Sequence, residues 1–99
     1  MIMTSLESDA LTTAKEIARF LKTKHGATRV VLFGSLAEGF FKDRSDIDIY
    51  FEGVPSNRIF AAVGHCLELF RKADIDLQPA SFCEAAFRQR VLKEGVVLV

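Results

Sequence analysis

Two pairs of aspartates in this sequence are spaced for chemistry. Asp46 and Asp48 flank Ile47 in the run Ser45-Asp46-Ile47-Asp48-Ile49, and Asp74 and Asp76 flank Ile75 further on. Residues two apart on an extended chain point the same way, so each pair sets two carboxylates on one strand face. Such close like charges are unfavourable unless a cation neutralises them. Hard oxygen ligands at this spacing suit Mg²⁺, commonly bound by one or two carboxylates together with substrate phosphates. A third carboxylate meeting the first pair completes a site for two ions roughly 4 Å apart, which clamps the attacking and leaving oxygens of a displacement. Either pair alone also fits a solvated strand face.

A second feature precedes them. Gly34-Ser35-Leu36-Ala37-Glu38-Gly39 falls where a strand gives way to a helix. Glycines let backbone approach a ligand, and free amides at a helix start favour anions. The Ser35 hydroxyl can donate to a phosphate oxygen. Taken alone, such a turn is commonplace.

These residues need elements to hold them. Residues 5–25 carry Leu11, Ala14, Ile17, Ala18 and Leu21 at helical spacing, and Gly26 suits the C-terminal cap. Arg29 to Phe33 reads as a short buried strand, and Leu36 to Phe41 as a short helix after the glycine turn. Asp46 to Glu52 alternates, with Asp46, Asp48 and Tyr50 on one side and Ile47, Ile49 and Phe51 on the other. A turn around Pro55 leads to a helix with the apolar stripe Ile59, Phe60, Val63, Leu67 and Phe70. Asp74 to Gln78 alternates again, and Pro79 ends it. Ser81 and Glu84 have capping-box spacing, which predicts the start of a last helix bearing Phe87 and Val91. Gly95 caps that helix, and Val96 to Val99 close the sheet. The alternating, half-polar strands predict an α/β (α+β) fold: a small mixed sheet with helices packed mainly on one face, rather than a doubly wound parallel sheet.

Composition narrows the function. The 99 residues are expected to form one domain, 1–99. Thirteen basic and thirteen acidic residues give formal net charge +0, so no global field attracts nucleic acid and direct DNA or RNA binding is disfavoured. A mean hydropathy of +0.20 and nine phenylalanines predict either an aromatic-rich core or an apolar surface for a partner, in a homo- or hetero-oligomer. Cys66 and Cys83, both in predicted helices, read as reduced, largely buried thiols that form no metal cluster with His25 and His65. With no signal peptide and no membrane-length apolar run, the expected location is cytoplasmic.

The combination of motifs is more specific than its parts. Gly34-Ser35 with a second glycine at Gly39, followed by Ser45-Asp46-Ile47-Asp48 on the next strand, resembles the signature of the nucleotidyltransferase superfamily related to DNA polymerase β. The short chain resembles its minimal members, the MNT family. The likeness runs from the leading helix to the terminal Glu94 to Leu98 stretch. It implies that Gly34 and Ser35 form the phosphate-binding turn, and that Asp46, Asp48 and Asp76 hold Mg²⁺, as two ions, and carry catalysis. Asp76 is favoured as the third aspartate because Leu77 follows it; Asp74 shares its strand face and competes. Glu38 occupies the position of the family's arginine, an anion in place of a cation.

The resemblance further implies Mg²⁺-dependent transfer of a nucleoside monophosphate, AMP from ATP, to a hydroxyl. Proteins similar to this one often pair with a small helical HEPN toxin and act as its antitoxin, some by attaching AMP to a toxin tyrosine. A HEPN partner is therefore expected. The competing reading is a catalytically weak binding protein that neutralises its partner by contact.

Overall fold

The computed structural model describes residues 3–99. The first helix, α1 (Ser5–His25), opens on a capping box: the Glu7 N–H donates to Thr4 Oγ1 at 3.1 Å, and the Thr4 N–H donates to the Glu7 carboxylate at 3.2 Å. Gly26 closes it in the left-handed region with φ 77°, as the sequence predicts. Strand β1 (Arg29–Phe33) follows, then α2 (Gly34–Glu38), β2 (Ile47–Glu52), α3 (Ile59–Leu69), β3 (Ile75–Pro79), α4 (Ala85–Glu94) and β4 (Val96–Val97).

The strands form one sheet in the order β3-β2-β1-β4. β1 is antiparallel to β2 and β4, while β2 and β3 are parallel, so the sheet is mixed as predicted. Beyond β4 the pairing with β1 continues: the Leu98 N–H donates to Val30 O at 2.8 Å, and the Val30 N–H donates to Val99 O at 3.2 Å.

The alternation of each strand divides the core. Val30, Leu32, Ile47, Ile49 and Phe51 face α1 and α3 and join Ala14, Ile17, Leu21, Ala62 and Cys66 in the main cluster. Val31 and Tyr50 face the other way, where α4 covers part of the sheet with Val91 and Phe87. Most helical mass therefore lies on one face. Tyr50 is buried on the polar face because its hydroxyl donates to Glu52 at 2.6 Å, and Glu52 also pairs with Arg29 at 2.8 Å. Burial, with the Glu52 bond second, pushes the Tyr50 phenol up to about 12.

Several predicted details differ. α2 starts at Gly34 rather than Leu36 and stops at Glu38, because Gly39 adopts φ 86° and breaks the helix before Phe41. Pro79 belongs to β3 as its last residue. The predicted Ser81–Glu84 capping box does not form. Ser81 lies in a 3-10 turn, Ala80–Phe82, closed by the Cys83 N–H on Ala80 O at 3.1 Å; α4 begins at Ala85 with no side-chain cap. Cys83 thus sits in a loop, half-buried, whereas Cys66 is buried in α3 and its thiol is pushed up to about 11 by that burial; both are free. On α3 the buried face is Ile59, Ala62 and Cys66, three and four residues apart, and Phe60 and Leu67 point to solvent. The nine phenylalanines divide accordingly: Phe51 is buried, while Phe40, Phe60 and Phe82 are exposed. No helix among the described residues is long and apolar enough to cross a membrane.

Candidate active site

The sheet register places the aspartates. Asp48 lies opposite Phe33 on β1 and opposite Asp76 on β3. Since β2 and β3 are parallel and in register, Asp48 and Asp76 stand side by side on one face, the face partly covered by α4. Asp46 immediately precedes β2 and is exposed. Asp74 precedes β3, is exposed, and lines a different groove with Asp43, Ser45 and Lys72. Of the two candidates for a third carboxylate, Asp76 is the one that the register brings beside Asp48.

Gly34 makes room for Asp48. A β-carbon added at Gly34 would lie 2.0 Å from Asp48 Oδ2, so the carboxylate rests directly against the glycine backbone. Gly34 also holds φ +74°, which other residues adopt only under strain. One position thus has two reasons to be glycine. Ser35 follows, half-exposed, in the first turn of α2.

The electrostatics of the pair are unbalanced. Burial first, then Asp76, then Asp46 push the Asp48 carboxyl up to about 6. Among the described residues the ion pairs are Arg29–Glu52 and Arg71–Glu68, so neither Asp48 nor Asp76 has a protein cation. Among the described residues no three His, Cys, Asp or Glu side chains come together as a ready ligand cluster. Two adjacent hard carboxylates lacking a counter-charge fit a cation that takes its remaining ligands from water and substrate phosphates, as Mg²⁺ does.

Asp76 is held from its own strand. Gln78 Nε2 donates to Asp76 Oδ1 at 3.0 Å. The loop after β3 is fixed in turn: Cys83 Sγ donates to Pro79 O at 3.2 Å, and Arg88 of α4 donates to Ala80 O and Cys83 O. Gln78 was open to sequence reasoning, since it is two residues beyond Asp76 on the same face; Arg88 was not, because its partners are backbone carbonyls across a turn.

Two hollows flank this centre. Phe33 and Phe87 meet edge to face with centroids 5.5 Å apart. On one side lies a cavity of about 310 Å³, lined by Gly34, Ala37, Glu38, Arg90 and Glu94; on the other lies a cleft of about 350 Å³, lined by Asp76, Gln78, Cys83 and Glu84. Both share the two phenylalanines as a common wall.

The model of the nucleotidyltransferase domain matches residues 14–99. The chain belongs to the nucleotidyltransferase domain family. The curated proteins contain no match to it. Among solved structures, the chain is similar to a protein described as a minimal nucleotidyltransferase, with TM-score 0.74 and 25% identity over 95% of this chain and 98% of that one. It is also similar in fold to a chain of a toxin–antitoxin complex with AMP-PNP, with TM-score 0.66 and 21% identity over 88% of this chain and 72% of that one. A third similar structure is a tri-AMPylated Shewanella oneidensis HEPN toxin in complex with its MNT antitoxin, with TM-score 0.61 and 18% identity over 91% of this chain and 71% of that one.

Of the site residues expected from the sequence, the register brings Gly34, Asp48 and Asp76 together, while Asp46 lies exposed just before β2 and Ser35 follows Gly34 in α2. Glu38 lines the Gly34 cavity. The residues that sequence reasoning missed are Gln78, the Phe33–Phe87 wall and Arg90. The wall joins β1 to α4 over a long sequence separation, and no local pattern announces such a contact.

Proposed function

We propose that this nucleotidyltransferase moves AMP from ATP to a hydroxyl of a partner protein, a tyrosine of a small helical HEPN toxin, and so acts as its antitoxin in the cytoplasm. The observation that carries the proposal is the Asp48–Asp76 pair set against Gly34 between two hollows. In this reading the donor triphosphate enters on the side of Gly34 and Ser35, and the acceptor hydroxyl enters on the side of Asp76 and Gln78. Asp46, Asp48 and Asp76 would hold Mg²⁺, which when bound would supply positive charge against the negative charge that develops as pyrophosphate leaves.

The protein's own groups do the rest. Asp76, steadied by Gln78, accepts the proton of the acceptor hydroxyl. The hydroxyl oxygen forms a bond to the α-phosphorus as the bond to pyrophosphate breaks, in line. Gly34 lets the Asp48 carboxylate lie against the backbone where a side chain would displace it. Phe33 and Phe87 wall off the two hollows and limit water at the reacting atoms.

A protein acceptor is supported by the surface beside the cleft. Phe82 lies just before Cys83 and Glu84, is 59% exposed, and packs on Phe60, which is 80% exposed, with centroids 5.8 Å apart. Large apolar side chains in contact with each other and open to water mark an interaction site. The complex of a HEPN toxin with an MNT antitoxin, one chain of which is similar in fold, supports the choice of partner.

The test is to incubate the chain with the HEPN protein encoded beside it, ATP and Mg²⁺, and to measure intact masses. Gain of one or more AMP units by the HEPN protein, absent with Asp48→Asn, supports the proposal. Glu38 at the cavity, with no ready three-carboxylate cluster among the described residues, favours a second reading, neutralisation by contact alone. A tight complex that never gains mass would select it.

A further inference from the structure

The cavity beside Gly34 is lined by two carboxylates, Glu38 and Glu94, and one cation, Arg90. A polyphosphate entering there meets repulsion from both glutamates unless the arginine answers it. Arg90 is free to do so. It is exposed, it takes part in neither of the ion pairs found among the described residues, and its guanidinium carbon lies 5.7 Å from the centroid of the Phe87 ring, one helical turn away. Its neighbour Arg88 is committed elsewhere, donating to Ala80 O and Cys83 O. An arginine resting on an aromatic face with no carboxylate partner keeps its planar fork of donors available, and that fork matches phosphate oxygens two at a time.

We propose that Arg90 of α4 binds the phosphates of the donor nucleotide in the Gly34 cavity, supplying from α4 the cation that α2 lacks at Glu38. The inference rests on the proposed nucleotidyl transfer. It makes α4 part of the donor site and leaves the acceptor cleft to the other side of Phe87. Binding would draw the guanidinium off the ring and onto the triphosphate, past Glu38.

The experiment compares AMP-PNP and adenosine binding, each with Mg²⁺, by calorimetry on wild type, Arg90→Ala, Arg71→Ala and the double variant Arg90→Ala/Glu38→Arg. Arg90→Ala should weaken AMP-PNP about tenfold, the scale of a lost charge-assisted contact, and leave adenosine unchanged. It should also flatten the salt dependence of AMP-PNP binding. Arg71, which pairs with Glu68 away from the cavity, should be neutral when replaced. The double variant should recover most of the loss, because the cation returns from α2. Since Arg90 is exposed, its melting curve should match wild type. Wild-type affinity for AMP-PNP in Arg90→Ala, or an equal loss for adenosine, overturns the inference while the functional reading stands. A wild-type chain that binds no nucleotide overturns both.

Discussion

Asp48→Asn should make the protein more stable and inactive at once. In the folded chain the Asp48 carboxyl is held up to about 6, by burial first and then by Asp76 and Asp46. A carboxyl that titrates near 6 rather than near 4 costs about 3 kcal/mol more to ionise than an ordinary one. Asp48 is only half-buried, and solvent screening reduces that to about 1 kcal/mol. The sign follows from linkage. The folded-state value is raised, so the stability associated with protonated Asp48 is complete below about pH 4 and is lost as pH rises through about 6. Asparagine has nearly the same shape, fits against Gly34, and carries no charge. In chelator, at pH 7.5, the variant should therefore melt above wild type by about 4–8 °C for each kcal/mol relieved. The gap should narrow steadily on titration to pH 4, where wild type is protonated too. Comparing the two proteins at each pH cancels the titrating groups that do not interact with Asp48. Mg²⁺ with AMP-PNP should raise the melting temperature of wild type and not of the variant. An Asp48→Asn protein that melts below wild type at pH 7.5, or a gap independent of pH, would refute the view that Asp48 stores uncompensated charge for a cation.

Further outcomes follow from the same geometry. Gly34→Ala should cost about 1–3 kcal/mol by denaturant titration, from left-handed backbone strain and the 2.0 Å approach to Asp48, and should also abolish transfer. Asp76→Asn should lose single-turnover transfer while keeping most AMP-PNP affinity, and Asp74→Asn, in its separate groove, should be mild; the reverse order would move the third carboxylate to Asp74. Glu38→Arg should tighten AMP-PNP binding several-fold at low salt, an effect shrinking as ionic strength rises. Phe60→Ser with Phe82→Ser should leave AMP-PNP binding intact and abolish AMP transfer to the HEPN protein; undiminished transfer would place the docking surface elsewhere.

Much of the frame was legible because local rules decide it. The stripe of Ala14, Ile17, Ala18 and Leu21, the cap at Gly26 and the alternation of Ile47, Ile49 and Phe51 all reappear in the core. The failures have local causes as well. Two templates compete on α3, and counting large apolar residues selects Phe60 and Leu67, whereas close packing selects the smaller Ala62 and Cys66. At Ser81 the capping spacing is present, but a 3-10 turn closes first and takes the residue out of reach of the helix.

The site illustrates what spacing can and cannot carry. Asp46 with Asp48, and Asp74 with Asp76, are the same pattern written twice, and spacing alone gives four equivalent carboxylates. Register breaks the equivalence. Asp48 and Asp76 meet because β2 and β3 run parallel with those two residues opposite each other, while Asp46 and Asp74 fall just outside their strands. A slip of two residues would have joined Asp48 to Asp74 instead, with no change in any local preference. The hydrogen bond from the Ile47 N–H to Asp74 O, at 2.8 Å, forms the first rung of the observed register, and the alternation that turns Ile49 and Phe51 toward α1 and α3 sets the face on which Asp48 stands. The chemistry is thus written in the aspartates, but its assembly depends on apolar neighbours that take no part in it.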